Sequence, residues 1–206
     1  MIEKTLYELK KILNREFICN YLQTLEDPVI CEVGIREGNN FDKMLIPKVK
    51  AAIGVDVWRE TGDTGQNDHE DDQDTLDDQY RNAFNKYLPQ NRIRIVREFS
   101  VKAAKFFPDE TFHFVYIDAD HTYEAVTEDL NAWFPKVKVG GVIGGHDYIS
   151  RAELRQYANA GYETEHSAPF GVIEAVRDFR KKHSLSENNL HITTEIYSSY
   201  FMVKEK

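Results

Sequence analysis

The chain of 206 residues is long enough to form one domain with its own hydrophobic core. Its hydrophobic content of 41% and charged content of 30% are ordinary for a globular protein, and no apolar run approaches the roughly 18 residues of a membrane-spanning helix. The net charge of −9 comes mainly from residues 61–80, which contain eight acidic residues and no lysine or arginine. Because the rest of the chain is nearly neutral and has no basic stripe, neither nucleic acid nor a membrane is expected as a partner.

The N-terminal segment, residues 1–26, alternates charged residues with leucine and isoleucine. This pattern predicts an amphipathic helix over residues 3–24 and is unlike a secretory signal. Cys19 and Cys31 are too few for a disulfide framework, and Cys31 lies in an apolar run where a buried, unreactive thiol is expected. These features predict a cytoplasmic protein, and they are compatible with a homodimer.

Apolar runs and amphipathic stretches alternate along the rest of the chain. Strands are predicted at 28–35, 52–58, 92–99, 112–119 and 139–148, and two closing strands at 190–197 and 199–204. Helices are predicted at 41–51, 74–88, 100–107, 121–134 and 171–182, the last after a polar stretch of about twenty residues. This alternation predicts an α/β fold: a doubly wound, mostly parallel seven-stranded sheet, Rossmann-like, with a C-terminal antiparallel hairpin.

An acidic insertion at 59–73 begins an acidic stretch that continues to residue 78. It leaves the predicted sheet at the edge where ligands bind in such folds. Two interpretations remain open: a solvated loop, and a lid or wall beside a bound ligand. A calcium loop is not indicated, because the central glycine and terminal glutamate of that motif are missing. Residues 149–170 form a second candidate lid.

The loop after the first predicted strand has the sequence EVGIREGN. Gly34 permits a tight exit from the strand, and Gly38 is expected to let the backbone approach a ligand where the next helix starts. The loop is not the dinucleotide motif GxGxxG, because Arg36 and Glu37 crowd the place of a pyrophosphate. S-adenosylmethionine has a sulfonium cation and no phosphate, so it suits an acidic loop containing Glu32 better. A purely structural glycine turn is the alternative.

The second and third predicted strands end in further candidate ligand contacts. Asp56 and Val57 follow the glycine loop by about twenty residues, where a carboxylate can accept hydrogen bonds from both ribose hydroxyls. A helix cap or a solvated turn is the alternative for Asp56. Phe99 and Ser100 occupy the place where such folds usually contact adenine.

Five ionisable residues lie at the ends of the fourth and fifth predicted strands: Asp118, Asp120, His121, His146 and Asp147. Because neighbouring strands lie about 4.8 Å apart, these side chains are expected to converge at one edge of the sheet. Mutually repelling carboxylates at such a point indicate chemistry rather than packing. The alternatives are that Asp120 is only a helix N-cap and that His121 is solvated in the first helical turn.

Taken together, the motifs ExGxxxG, VD, IDADHxY and GGVIGGHDY resemble those of class I S-adenosylmethionine-dependent methyltransferases. The similarity is greatest to the bacterial methyltransferase family 24 group, which is related to macrocin-type and catechol-type O-methyltransferases, and it covers residues 28–180. It implies one methyltransferase domain over residues 1–206 with S-adenosylmethionine as cofactor. The residues implied to bind the cofactor are Glu32, Gly34, Gly38, Asp56, Val57, Phe99, Ser100 and Asp118.

The resemblance also implies a divalent metal. In the macrocin-type and catechol-type enzymes, acids matching Asp118 and Asp147 hold a metal, usually magnesium. The implied site here is Asp118, His146 and Asp147, binding magnesium or manganese, and the histidine suits manganese, iron or zinc better than magnesium. His121 is predicted as the general base, with Asp120 second, because an imidazole titrates near neutrality.

The predicted activity is methyl transfer from S-adenosylmethionine to a hydroxyl oxygen of a small molecule or sugar. Transfer to another acceptor atom, such as nitrogen, is the alternative within the same class of enzyme. The missing central glycine disfavours a nicotinamide-dependent oxidoreductase. The convergence of five ionisable residues disfavours a non-catalytic binding domain.

Overall fold

The computed structural model describes residues 2–60, 72–161 and 170–206. Within these ranges the strands are β1 Val29–Val33, β2 Ala51–Asp56, β3 Ile93–Arg97, β4 Phe112–Ile117, β5 Val137–Gly145, β6 His191–Ile192 and β7 Tyr200–Val203. The helices are α1 Ile2–Leu9, α2 Ile18–Gln23, α3 Asn39–Met44, α4 Gln73–Tyr87, α5 Ser100–Ala104, α6 Tyr123–Trp133, α7 Arg151–Asn159 and α8 Val172–Lys182. None of these helices combines the length and apolar character that crossing a bilayer requires.

The strands form one sheet in the order β3-β2-β1-β4-β5-β7-β6. The first five strands of the chain run parallel, and β7 pairs antiparallel with both β5 and β6. The strand order reverses between β1 and β4, which places a ligand crevice at the carboxyl ends of these two central strands. The predicted fold class is confirmed.

Two hydrophobic clusters cover the two faces of the sheet. Cys31 and Val115 face the cluster with α5, α6 and α8, whereas Ile30 and Phe114 face the cluster with α1 to α4. Strands buried on both faces are expected in a parallel sheet, which explains their nearly continuous apolar sequences. Cys31 is fully buried and its pKa is raised by that burial, so it is the inert thiol expected from the sequence.

The helix predicted over residues 3–24 is divided into α1, a 3₁₀ turn and α2. The Asn14 side chain accepts a hydrogen bond from the backbone of Glu16, which starts a new helical segment. The carbonyl of Leu13 accepts two hydrogen bonds from Thr194, one from the backbone and one from the side chain. Contacts with the C-terminal part of the chain therefore override the local helical pattern.

The strand predicted over residues 190–197 is shortened to the two residues of β6. The following loop is organised by Glu195, whose carboxylate accepts hydrogen bonds from the hydroxyls of Thr193 and Ser199. The same carboxylate accepts the backbone N–H of Arg15. Hydrogen bonds from three residues to the Glu195 carboxylate thus take the place of the expected strand pairing.

Helix α7 lies in the polar stretch where no helix was predicted. The sequence does contain its start signal, a capping box in which Ser150 and Glu153 bond reciprocally. Residues 162–169 of the candidate lid and residues 61–71 of the acidic insertion lie outside the described residues. Their lid interpretations stay predictions, as do the cytoplasmic location and the homodimer.

Candidate active site

A cavity of about 940 Å³ opens at the carboxyl ends of the parallel strands. Its volume falls in the range of roughly 300–1,000 Å³ typical of cofactor and small-molecule sites. Among the residues predicted from the sequence to form the site, those that line it are Glu32, Gly34, Asp56, Val57, Phe99, Ser100, Asp118, Asp120, His121, His146 and Asp147. The structure therefore brings together every predicted site residue except Gly38.

Gly38 has a different role from the predicted approach to a ligand. It is the N-cap of α3 with a φ of 84°, and a Cβ atom at this position would lie 2.1 Å from the hydroxyl oxygen of Tyr87. That hydroxyl donates to the carboxylate of Asp42 at 2.8 Å. The glycine therefore leaves room for Tyr87 of α4 against the start of α3, and it does not itself line the cavity, although Glu37 and Asn39 beside it do.

Gly34 forms the tight exit from β1 that its sequence context predicts. Its φ is 87°, and a Cβ atom there would lie 2.0 Å from the carbonyl oxygen of Asp118. A side chain at this position would thus collide with the loop after β4 before it reached any ligand. The glycine allows the two central loops to meet at the floor of the cavity.

Glu32 is a buried carboxylate, 1% exposed, in the wall of the cavity. Asn40 donates a hydrogen bond of 2.9 Å to its Oε1 atom, whereas Oε2 is buried without a partner among the described residues. Burial raises the pKa of this carboxyl well above its ordinary value, although the bond from Asn40 opposes the shift. An unsatisfied buried acceptor is costly, so this oxygen is a candidate position for a donor from a ligand.

Asp56 ties together the loops that follow β1 and β2. Its Oδ2 atom accepts from the backbone of Arg36 at 2.7 Å, and its Oδ1 atom accepts from the backbone of Trp58 at 3.0 Å. Both donors have positive φ angles, 46° and 39°, a strained conformation that these bonds help to hold. Because a carboxylate offers about four lone-pair positions, each oxygen keeps capacity for a ribose hydroxyl.

The residues predicted to contact adenine differ in how they are used. The Phe99 ring is 39% exposed, whereas the Ser100 hydroxyl donates to Asp129 and accepts from the indole of Trp133 at 2.9 Å. The Ser100 hydroxyl therefore has no hydrogen left to donate to a ligand. Burial raises the pKa of Asp129 to about 7. Asp129 went unnoticed in the sequence, although it is a carboxylate on the apolar face of α6, beside Leu130.

The predicted convergence at the ends of β4 and β5 is present. His121 Nε2 lies 2.9 Å from Asp147 Oδ2, and His146 Nδ1 lies 3.3 Å from Asp147 Oδ1. Asp118 Oδ1 lies 3.7 Å from each of these imidazole nitrogens. Asp147 has a φ of 55°, so the backbone is strained where the acid enters the cavity.

These contacts shift the acid–base properties of the cluster. Burial by itself raises the pKa of Asp147, but the imidazoles of His121 and His146 outweigh it and hold this pKa well below its usual range. Burial lowers the pKa of His146, but the neighbouring carboxylates of Asp147 and Asp118 outweigh that effect and raise it. Asp147 is therefore ionised at neutral pH.

Three residues of this cluster lie close enough together to hold a metal ion. Ligand atoms from Asp118, His121 and Asp147 all lie within 4.8 Å of one another. The set predicted from the resemblance contained His146 in place of His121. Because the Nε2 atom of His121 lies closer to Asp147 than the Nδ1 atom of His146 does, His121 is the better placed of the two imidazoles.

Asp120 and His121, the two predicted bases, have different surroundings. Asp120 accepts the backbone N–H of Thr122 at 2.8 Å, and Thr122 in turn caps α6 through Ala125. Asp120 thus stabilises the turn just before the N-cap of α6. This role is close to that of a helix N-cap, the alternative interpretation of Asp120. The ring of His121 stacks on Phe170 with 5.8 Å between centroids, so it is not a solvated residue.

Arg15 and Tyr197 also line the cavity, and the sequence pointed to neither. Arg15 comes from the 3₁₀ turn before α2, and its Nη1 atom lies 3.6 Å from Asp118 Oδ2. Tyr197 comes from the loop after β6, and its ring lies 6.5 Å from that of His146. Both segments are remote in sequence from the central strands, so no local motif marks them.

Comparisons with known proteins identify the family and the fold. A model of the family Methyltransf_24, described as a methyltransferase domain, matches residues 31–148. No curated protein sequence matches the chain. Three solved structures illustrate the similarity in fold. An O-methyltransferase family protein from Burkholderia thailandensis has a TM-score of 0.60 at 11% identity, with 92% of this chain and 55% of that chain covered. Spermidine synthase from Thermotoga maritima has a TM-score of 0.56 at 14% identity, with 98% and 60% covered. A protein from Corynebacterium glutamicum has a TM-score of 0.56 at 12% identity, with 93% and 80% covered.

Proposed function

The chain belongs to the Methyltransf_24 family of methyltransferase domains, and from this premise we propose that it methylates a hydroxyl oxygen of a small molecule or sugar. Family membership makes it an S-adenosylmethionine-dependent methyltransferase; the oxygen acceptor is the proposed part. The observation that carries the proposal is the pairing of His121 with Asp147 at 2.9 Å inside the cavity. Methylation of a hydroxyl requires removal of its proton, which is the chemistry that such a pair supplies.

The residues of the cavity fit S-adenosylmethionine, which when bound supplies a methyl group made electrophilic by its positively charged sulfur. The buried, unpartnered Oε2 atom of Glu32 fits the ammonium of the amino-acid end. Pairing with that cation would favour the ionised carboxylate against the effect of burial. Asp56 keeps lone pairs for the ribose, and the exposed ring of Phe99 offers a surface for the adenine.

His121 is proposed to take the proton of the acceptor. Asp147 at Nε2 holds the imidazole in one orientation and stabilises the imidazolium that forms. Because Asp147 is ionised at neutral pH, it can supply this stabilisation without changing its own protonation state. The stacked ring of Phe170 limits the access of water to the imidazole.

A divalent cation is proposed as the alternative arrangement of the same cluster, in which His121 is a ligand and not the base. Two carboxylates and one imidazole, from Asp118, Asp147 and His121, fit a cation such as manganese or magnesium, and the imidazole favours manganese. A bound cation would lower the pKa of the acceptor hydroxyl. His121 cannot use Nε2 as a ligand and still pair with Asp147 as described, so the two roles are distinguishable by experiment.

The acceptor atom and the cation are tested together. The protein is incubated with S-adenosylmethionine and a library of hydroxylated and amine-bearing compounds, and the methylated products are identified by mass spectrometry. O-methyl products are expected, and products methylated only on nitrogen would contradict the proposal. Elemental analysis and activity after chelator treatment test the cation: full activity in a metal-free sample would remove it from the account and leave His121 as the base.

A further inference from the structure

Arg15 enters the cavity without hydrogen-bonding through its guanidinium to any of the described residues. The side chain is 35% exposed, and the carboxylate it approaches, that of Asp118, lies 3.6 Å away, beyond hydrogen-bond distance. A guanidinium carries five N–H donors in a fixed fork. About two thirds of the side chain is shielded from water, and its one charged neighbour among the described residues is Asp118, beyond hydrogen-bond distance. These donors therefore keep their capacity to bind a ligand.

The backbone of Arg15 is fixed by long-range contacts. Its N–H donates to both carboxylate oxygens of Glu195 at 3.0 Å. Just before it, the carbonyl of Leu13 accepts the backbone N–H of Thr194 at 2.9 Å, and the carbonyl of Ile12 lies 2.6 Å from His191 Nε2. A guanidinium on a fixed backbone can bind a ligand with less loss of conformational entropy than one on a mobile loop.

The surroundings of Arg15 combine negative charge with planar rings. Asp118 and Asp147 would repel an anionic acceptor unless a cation stood beside them. Lys43, another cation in the wall of the cavity, is already paired with Glu16. The ring of Tyr197 lines the same cavity, near that of His146, and offers a flat apolar surface.

We propose that the acceptor carries a carboxylate or phosphate group and that Arg15 is the specificity-determining residue that binds it. This inference rests on the proposed function, because it names the class of acceptor for the same site. A planar fork matches two oxygens of a carboxylate or phosphate at once, which a lysine ammonium cannot do. If the guanidinium only balanced the charge of Asp118, the site would not prefer an anionic acceptor to a neutral one.

The test uses the whole chain saturated with S-adenosylhomocysteine, whose binding is measured first. Calorimetric titrations then compare 3,4-dihydroxybenzoate with 3,4-dihydroxybenzamide, and phenyl phosphate with phenol. The wild type is expected to bind at least one anion about tenfold or more tightly than its neutral counterpart. Arg15→Gln should reduce this preference to less than about twofold, and Arg15→Lys, which keeps the charge without the fork, should lose most of it. Arg81→Gln, an exposed arginine on α4, should leave the preference unchanged.

Two results would overturn the inference: a wild type that prefers neither anion, and a preference that survives in Arg15→Gln. If Arg15→Gln does not fold, Arg15→Lys decides the question by the same comparison. The proposed function fails separately. A wild type that binds no S-adenosylhomocysteine would overturn both, whereas normal binding of that compound without any preference for anions would overturn only the role of Arg15.

Discussion

His121 Nε2 and Asp147 Oδ2 lie 2.9 Å apart and join the loops that follow β4 and β5. His146 approaches the other oxygen of the same carboxylate at 3.3 Å, so Asp147 lies between two imidazoles. The positive φ of Asp147 turns its side chain into this position at a cost in backbone strain. Strain of this kind at a cavity edge is expected where a side chain serves chemistry.

Replacement of His121 tests its role as the base. His121→Asn should lower kcat by roughly 100-fold or more, because the proton acceptor is lost, while cofactor affinity changes little. Some stability should also be lost, because the buried Asp147 carboxylate keeps only one of its two imidazole partners. Asp120→Asn is the matched control. It keeps an oxygen that accepts the N–H of Thr122, so it should change stability by less than about 0.5 kcal/mol and leave kcat near the wild-type value. Steady-state kinetics of both variants measure the effect. A loss of kcat in Asp120→Asn alone would make Asp120, and not His121, the base.

Replacement of Glu32 separates binding from stability. Glu32→Gln should weaken S-adenosylmethionine binding by about 1.5–3 kcal/mol, because a charged hydrogen bond to the ammonium is lost. The free energy of unfolding of the ligand-free variant should not fall, since a buried amide avoids the desolvation that raises the pKa of this carboxyl and can still accept from Asn40. Calorimetry and urea unfolding measure the two quantities. Unchanged affinity would remove Glu32 from the cofactor site.

The contact between Gly38 and Tyr87 predicts a coupled effect on stability. Gly38→Ala should cost about 1–3 kcal/mol, because the new Cβ meets the Tyr87 hydroxyl at a position with a φ of 84°. The cost should be smaller in a Tyr87→Phe background, which removes the hydroxyl, and cofactor affinity should stay near wild type in the folded variants. A double-mutant cycle by urea unfolding measures the coupling. Additive costs, or a loss of cofactor binding at full stability, would return Gly38 to the ligand site.

Asp129 makes stability depend on pH. Its pKa is about 7 in the folded protein and about 3.9 in an unfolded chain. The folded state therefore holds a proton that the unfolded state has released, so the contribution of Asp129 to stability is fully present below about pH 4 and is lost, by on the order of 2–4 kcal/mol, as the pH rises through 7. Asp129→Asn should flatten this part of the profile in urea unfolding of the ligand-free protein at pH 5 and 8. Asp74→Asn, on an exposed face of α4, should not. Equal slopes for wild type and Asp129→Asn would contradict the assignment.

The order of the central elements could be predicted from the sequence because hydrophobic periodicity reports burial directly. Strand β6 could not be predicted in its true length, because Glu195 binds Arg15, Thr193 and Ser199 instead of leaving the backbone to pair. Its alternating sequence still indicated a strand. The missing information is a contact between the two ends of the chain, which no local window contains.

The candidate site, like the fold, could be predicted from the sequence only in part. Asp56, Asp118 and Asp147 could be predicted because the carboxyl ends of parallel strands meet at one edge, so position in the strand places the side chain. Arg15 could not, because it reaches the cavity from a segment outside the alternating pattern. Gly38 is not among the residues that line the cavity, and its sequence could not show this, because a glycine at a helix start has the same sequence context whether a ligand or a tyrosine fills the space beside it.

Calorimetric titration of the protein with S-adenosylmethionine, S-adenosylhomocysteine and nicotinamide dinucleotides tests the assignment of the cavity most directly. Glu32, Asp56 and the loops they hold predict micromolar affinity for the two sulfur-containing ligands and no measurable binding of the dinucleotides. Tight binding of a nicotinamide dinucleotide, with no signal from S-adenosylmethionine or S-adenosylhomocysteine, would contradict it.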